Sequence, residues 1–243
     1  MTKNNSKYIL IITSLIMILN QLAFTQDEKE IIKKAFNEFS KSPFESIYSF
    51  GGAFYSGDDL DQMPMLVNYY KNSDNKYLNV TDGFLGSLII DANINRNQLT
   101  LDLPEYESPL KTDFNNFSLE VPIMRFPKIY VDILEYKFID LSKKIISTNI
   151  KLGKNWHTLE IGYIDRVDTI VFSSSTYRVR SFSTTFMNNI INVQLGSYTT
   201  VNGLPYPKDF IIKSKTDNRE LHYSVTNVTS GEDTKKYAKR LGW

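Results

Sequence analysis

"NNIINVQLGSYTTVNGLPYPKDFIIKS", Asn188 to Ser214, decides how this chain is read. β-Branched residues alternate with polar ones up to Gly196, Gly203 marks a reversal, and a second strand follows whose start is broken by Pro205 and Pro207. Proline cannot donate to a ladder and is tolerated only at strand starts, edges and bulges. Gly203 permits the positive φ of a tight turn. The two prolines are therefore expected to hold the strand entry extended, with Tyr206 at the rim of a sheet and outside any active site.

The same two-residue period runs through most of the chain. "SIYSFGGAFYSG", "MPMLVNYYK", "NKYLNV", "FLGSLIIDA" and "NQLTLDLP" form a first group of short strands over 46–103. A second group over 144–228 runs from "IISTNIKL" to "ELHYSVTNV". Turns rich in Gly, Asp and Asn separate them, which is the pattern of an antiparallel meander of twelve or so strands. Two segments have helical spacing instead. "DEKEIIKKAFNEFSK" (26–41 with Gln26) puts Ile31, Ile32, Ala35, Phe36 and Phe39 on one stripe, with Asp27 as N-cap and Pro43 as stop. "KIYVDILEYKFIDL" aligns Tyr130, Ile133, Leu134, Phe138 and Leu141 behind Pro127, although its β-branched residues leave a strand open. This second helix ends a proline-rich excursion over 104–143. The expected class is mainly β (α+β): one curved antiparallel sheet forming an incomplete β-barrel, with an N-terminal helix and an inserted helix as lid.

Residues 1–25 stand apart. Lys3 and Lys7 precede the apolar run "YILIITSLIMIL" and a polar, small-residue end, the layout of a secretory signal peptide. The run is shorter than the roughly 20 residues of a spanning helix. The remaining chain, 26–243, is expected to be a single domain ending in a polar tail over 229–243. It contains no cysteine, so neither disulfide nor lipidated Cys is available, and the fold stands on its core. Without Lys3 and Lys7 the balance is 26 basic to 27 acidic residues, which gives no pull toward nucleic acid. No permanent membrane span is expected.

The catalytic inventory is thin. His157 and His222 lie in strand-like segments without metal-ligand spacing, and "FSSSTYR" (Phe172 to Arg178) lacks the Gly-x-Ser-x-Gly elbow. "DRVD" (Asp165 to Asp168) reads better as a solvated turn than as paired carboxylates. Asn79, Asn116 and Asn227 fall in glycosylation sequons, which matter only in a eukaryotic secretory pathway. What stands out is fifteen Phe and fifteen Tyr. A curved sheet with two helices to cover it leaves an apolar concave face, which is either plain core or a cavity for an apolar ligand.

Two stretches resemble a known group. "LNVTDGFLGSLIIDANINRNQLTLDLPE" (Leu78 to Glu105) is similar to outer-membrane lipoprotein acceptors of the LolB type, in which a strand, a Gly-aromatic-x-Gly turn and two strands run into a Pro-interrupted excursion. Asn188 to Ser214 resembles the late strands of the periplasmic carrier LolA and its relatives. The order helix, four or five strands, helix, six or seven strands matches that group's half-barrel. The resemblance implies a periplasmic, non-enzymatic carrier whose concave side shelters the acyl chains of a lipid or lipoprotein, without cofactor or metal. Two departures bear on it: "SGDDLDQMPMLVNYY" has no Arg where LolA relatives carry one, and the Cys of LolB relatives is missing. Handing lipoproteins onward is thereby less supported than holding something apolar.

The positions assigned to the concave lining are Phe50, Phe54, Met65, Val67, Phe84, Leu88 and Ile90 in the first strand group. In the helices they are Phe36, Ile133, Leu134 and Phe138, and in the second group Trp156, Leu159, Ile161, Phe182, Phe186, Val193 and Leu195. Each is core or ligand contact, and a register error of one residue would put the set on the other face. The expected partners are acyl chains and envelope proteins, and the expected state is a monomer. The alternatives are an envelope sensor or interaction module on the same scaffold, and a hydrolase using Asp165 or His157.

Overall fold

Period-two alternation builds one sheet across nearly the whole chain. The computed structural model describes residues 27–40, 48–56, 65–71, 76–82, 88–102, 107–114, 127–186, 189–201, 204–215 and 219–230, with 236 and 239. The segment 1–25, Phe84 and most of the tail lie outside the described residues. Helix α1 spans 27–39. It is followed by β1 (Tyr48–Ser56), β2 (Met65–Lys71), β3 (Lys76–Asp82), β4 (Leu88–Asn93), β5 (Gln98–Leu101) and β6 (Leu110–Asp113). Helix α2 is Pro127–Leu134. Then come β7 (Ile145–Lys151), β8 (Trp156–Tyr163), β9 (Arg166–Ser173), β10 (Val179–Phe186), β11 (Asn189–Leu195), β12 (Tyr198–Val201), β13 (Leu204–Pro207), β14 (Asp209–Ser214) and β15 (Arg219–Ser230).

Thirteen strands form an antiparallel sheet in the order β6-β5-β4-β3-β2-β1-β15-β14-β11-β10-β9-β8-β7. The first and last strands pair at its centre, so the chain's two ends fasten its two halves together. The outermost strands, β6 and β7, do not meet: the sheet curves into a half-barrel and stays open. Cross-strand registers gather the apolar residues into rows on one face. One row is Ile150, Leu159, Ile170, Phe182 and Val193; two others are Tyr69, Leu78, Ala92, Leu99 and Val67, Val80, Ile90, Leu101. All of these are buried. Intervening positions such as Thr169, Ser181, Asn192 and Lys213 face the other way, which is the alternation expected of a sheet solvated on one side.

Three boundaries differ from the sequence reading. "LKTD", inside the excursion, is edge strand β6. The lid helix stops at Leu134 rather than Leu141, because Tyr136 takes a left-handed conformation (φ 55°). There Tyr136 N–H donates to the Ile133 carbonyl (2.9 Å) and Lys137 N–H to that of Asp132 (2.7 Å), a Schellman stop built without glycine. Finally, "SYTTVNGLPYPKDFIIKS" is the distal part of one long hairpin. Beyond Gly196 it leaves the sheet as the two-stranded ribbon β12–β13, with Tyr198 opposite Pro207. A Cβ at Gly196 would fall 1.5 Å from the Asp209 carboxylate, so only glycine allows the two arms to cross so closely at the bend.

Candidate functional site

The candidate site is the concave face together with what covers it. Two helices and the six residues that follow α2 lie against this face. From α1, Phe39 packs edge-on to Phe172 of β9 (ring centroids 5.2 Å apart) and to Phe138 (6.3 Å). Its backbone carbonyl accepts from both Phe138 N–H and Ile139 N–H at 2.9 Å, so the end of α1 and the strap after α2 are pinned to each other.

That strap, Glu135 to Asp140, plugs the half-barrel. Glu135 reaches the first half: its buried carboxylate accepts from Tyr69 Oη and pairs with Lys76 (2.7 Å) and Lys71 (3.6 Å). Burial alone would raise its pKa, but the two lysines and the tyrosine hydroxyl outweigh burial and hold the carboxyl below its ordinary range. Burial in turn lowers Lys71. Tyr136 reaches the second half, where a closed ring of hydrogen bonds forms. Val179 N–H donates to Tyr136 Oη (3.1 Å), Tyr136 and Tyr198 hydroxyls lie 3.1 Å apart, and Tyr198 Oη donates to the Val179 carbonyl. A bulge between Val179 and Ser181 interrupts the ladder with β9 at this point. Asp140 closes the strap: its N–H donates to Tyr163 Oη (3.1 Å) and its carboxylate faces Arg166, which also pairs with Asp168 at 3.0 Å.

The residues assigned from sequence are largely brought together. Val67, Ile90, Ile133, Leu134, Phe138, Leu159, Ile161, Phe182, Val193 and Leu195 belong to one buried apolar cluster, with Phe36 partly buried against it. Phe50, Phe54, Met65, Leu88 and Phe186 lie on β1, β2, β4 and β10, but nothing is described of their side chains. Trp156 is a correction. It is one position out of step with Leu159 and Ile161, lies on the outer face at 40% exposure, and carries Arg180 over its ring at 5.2 Å. Strand parity alone shows the error: 156 is even, and the buried positions of β8 are odd.

Two further corrections concern polar residues. Tyr206 is fully buried, not at a rim: the ribbon folds it inward, and its hydroxyl donates to the Leu134 carbonyl at the end of α2 (2.9 Å). Asp165 does behave as a turn residue paired with Lys143, but Asp168 is fully buried beside Arg166. Burial raises the Asp168 pKa despite the arginine. His157 is buried, accepts from Gly153 N–H at Nδ1 (3.3 Å) and is lowered by burial; His222 lies 2.8 Å from Glu220. Among the described residues no cluster of side chains suits a metal ion. The sequence reading missed Glu135, Lys71 and Lys76; a lone glutamate within an apolar run was the one signal for them.

Under the strap, Ile133, Phe138, Arg166 and Phe182 border a slot of about 10 Å³, which matches about one water. The concave face is thus packed shut here by the chain's own strap, and an occupant of this part of the face must displace it.

Comparison with known proteins bears on the fold. No family model matches the sequence, and no curated protein matches it. Among solved structures, a LolA superfamily protein from Nitrosomonas europaea superposes with a TM-score of 0.61 at 10% identity, over 82% of this chain and 93% of that one. A domain described as an outer-membrane lipoprotein-sorting protein, from Vibrio parahaemolyticus, gives 0.53 at 8% identity, over 86% and 96%. A DUF1329 family protein from Desulfovibrio piger gives 0.53 at 9%, over 82% and 90%. This chain therefore has the incomplete-barrel fold of LolA superfamily proteins.

Proposed function

We propose that this chain is a non-enzymatic binding or carrier protein of the bacterial envelope, sheltering acyl chains of a lipid or lipoprotein against the concave face of its open sheet. The observation that carries the reading is the continuous set of apolar rows on one face of an unclosed sheet, covered by two helices and a strap. An open sheet has a movable cover where a closed barrel has only a mouth. A released acyl-binding face would gain roughly 0.8 kcal/mol for each methylene it takes from water. The solved structure named for lipoprotein sorting supports the same reading.

In this reading residues 1–25 direct export and are removed, 26–243 form one domain, and the protein works in the periplasm as a monomer. The chain has no cysteine to carry a lipid anchor, and no described helix is long and apolar enough to cross a membrane. Phe36, Val67, Ile90, Phe138, Phe182 and Val193 are the proposed contacts. The test is mass spectrometry of organic extracts from protein purified out of its native compartment, with titration of a fluorescent fatty acid. Co-purifying lipid and saturable uptake are expected; a well-folded protein showing neither would sink the proposal.

A further inference from the structure

Three large aliphatic side chains stand out from one corner of the molecule. Leu141, Ile146 and Ile164 are 57%, 62% and 77% exposed. Their segments are tied together: Asp140 N–H donates to Tyr163 Oη (3.1 Å), Lys143 pairs with Asp165, and Ile145 faces Tyr163 across β7 and β8. Ile146 is out because a β-bulge between Ile145 and Ser147 expels it from the ladder. Beside Leu141, an open groove of about 750 Å³ along α1 is lined by Lys33, Lys34, Asn37 and Ser40, with Glu30 as its one carboxylate.

We propose that this corner docks onto a bilayer surface bearing anionic headgroups. Leu141, Ile146 and Ile164 enter the boundary of the acyl layer, and the donors of the α1 groove face the lipid phosphates. The occupant follows from shape and charge. Three aliphatic tips on separate short segments suit a fluid apolar layer, and lysines beside them suit anionic headgroups. A second copy adding a strand to the free edge of β7 is opposed by the bulge and by Lys144 and Lys151 at that edge. The surface lies outside the concave face, so it stands whether or not that face takes an acyl chain.

The test is co-sedimentation of the protein, purified without added lipid, with vesicles of phosphatidylcholine alone or mixed with phosphatidylglycerol. The protein should pellet with the mixed vesicles and less with phosphatidylcholine alone, and added salt should release it. Ile164→Ser and Leu141→Ser should each weaken partitioning about tenfold, as the loss of one inserted aliphatic side chain requires. Lys33→Gln with Lys34→Gln should abolish the preference for phosphatidylglycerol. These positions are exposed, so unchanged thermal unfolding is expected and checks the variants. The proposal is overturned if the protein ignores mixed vesicles, or if Ile164→Ser pellets like the parent. It is equally overturned if light scattering shows a dimer that Ile146→Ser dissociates.

Discussion

Glu135 is the residue on which the closed arrangement most depends electrostatically. Its carboxylate is buried, and Lys76, Lys71 and Tyr69 hold it ionised below the ordinary glutamate value of 4.5. The unfolded chain therefore binds this proton more tightly than the folded one. Stability from this group is complete above the ordinary value and is lost as pH falls through the lower folded value. Glu135→Gln is expected to cost about 3 kcal/mol at neutral pH, the low end for a broken buried pair because Lys76 still reaches solvent. It should also remove part of the acid-side fall in stability. Urea unfolding across pH checks this, and identical acid limbs for parent and variant would refute it. Asp168, raised by burial, acts in the opposite sense in both proteins and so cancels from the comparison.

At the scale of elements, α1 is held by one aromatic residue and one carbonyl. Phe39 is fully buried against Phe138 and Phe172, while its carbonyl serves two amides of the strap. Phe39→Ala should destabilise by about 3–5 kcal/mol and loosen α1 and the strap together, since both use the same anchor. Hydrogen exchange would show the amides of Phe138 and Ile139 losing protection with those of α1; loss in α1 alone would contradict the coupling. The ribbon β12–β13 acts at the same scale. Pro205 and Pro207, two apart, lack N–H groups on the same lateral edge, so that edge cannot take another strand while the other pairs with β12. The rule about proline held, and the position inferred from it did not. An edge of a ribbon that folds over α2 is interior to the molecule, and Tyr206 is buried there.

For the whole molecule, the pairing of β1 with β15 carries the architecture. Strands β2–β6 and β14–β7 are each local meanders, and β15 is paired on one side with β1 and on the other with β14. Removing the chain from Arg219 onward should leave no cooperative unfolding transition, because the two halves lose their only shared strand in the described sheet. Calorimetry checks this. A truncated chain that melts in one sharp step would show that the helices alone can join the halves.

Much of this was legible locally. The period of two, the turn residues and the two helical stripes made an open, mainly β fold with a helical cover readable from sequence, because side-chain alternation and turn chemistry are properties of neighbours along the chain. Leu159, Ile161, Phe182 and Val193 were found this way, and Trp156 was lost to parity on the same strand. The stop of α2 at Tyr136 was not readable. A left-handed tyrosine is unfavourable in isolation, and here Val179 and Tyr198, distant in sequence, hold its hydroxyl. Nor could the chain alone show that Glu135 would be paired or Tyr206 buried, since each depends on a strand or ribbon that arrives from more than 50 residues away. Sequence determined which residues alternate and where the chain turns. Only the tertiary structure decided which face closes, because that depends on non-local burial and on partners for buried polar groups.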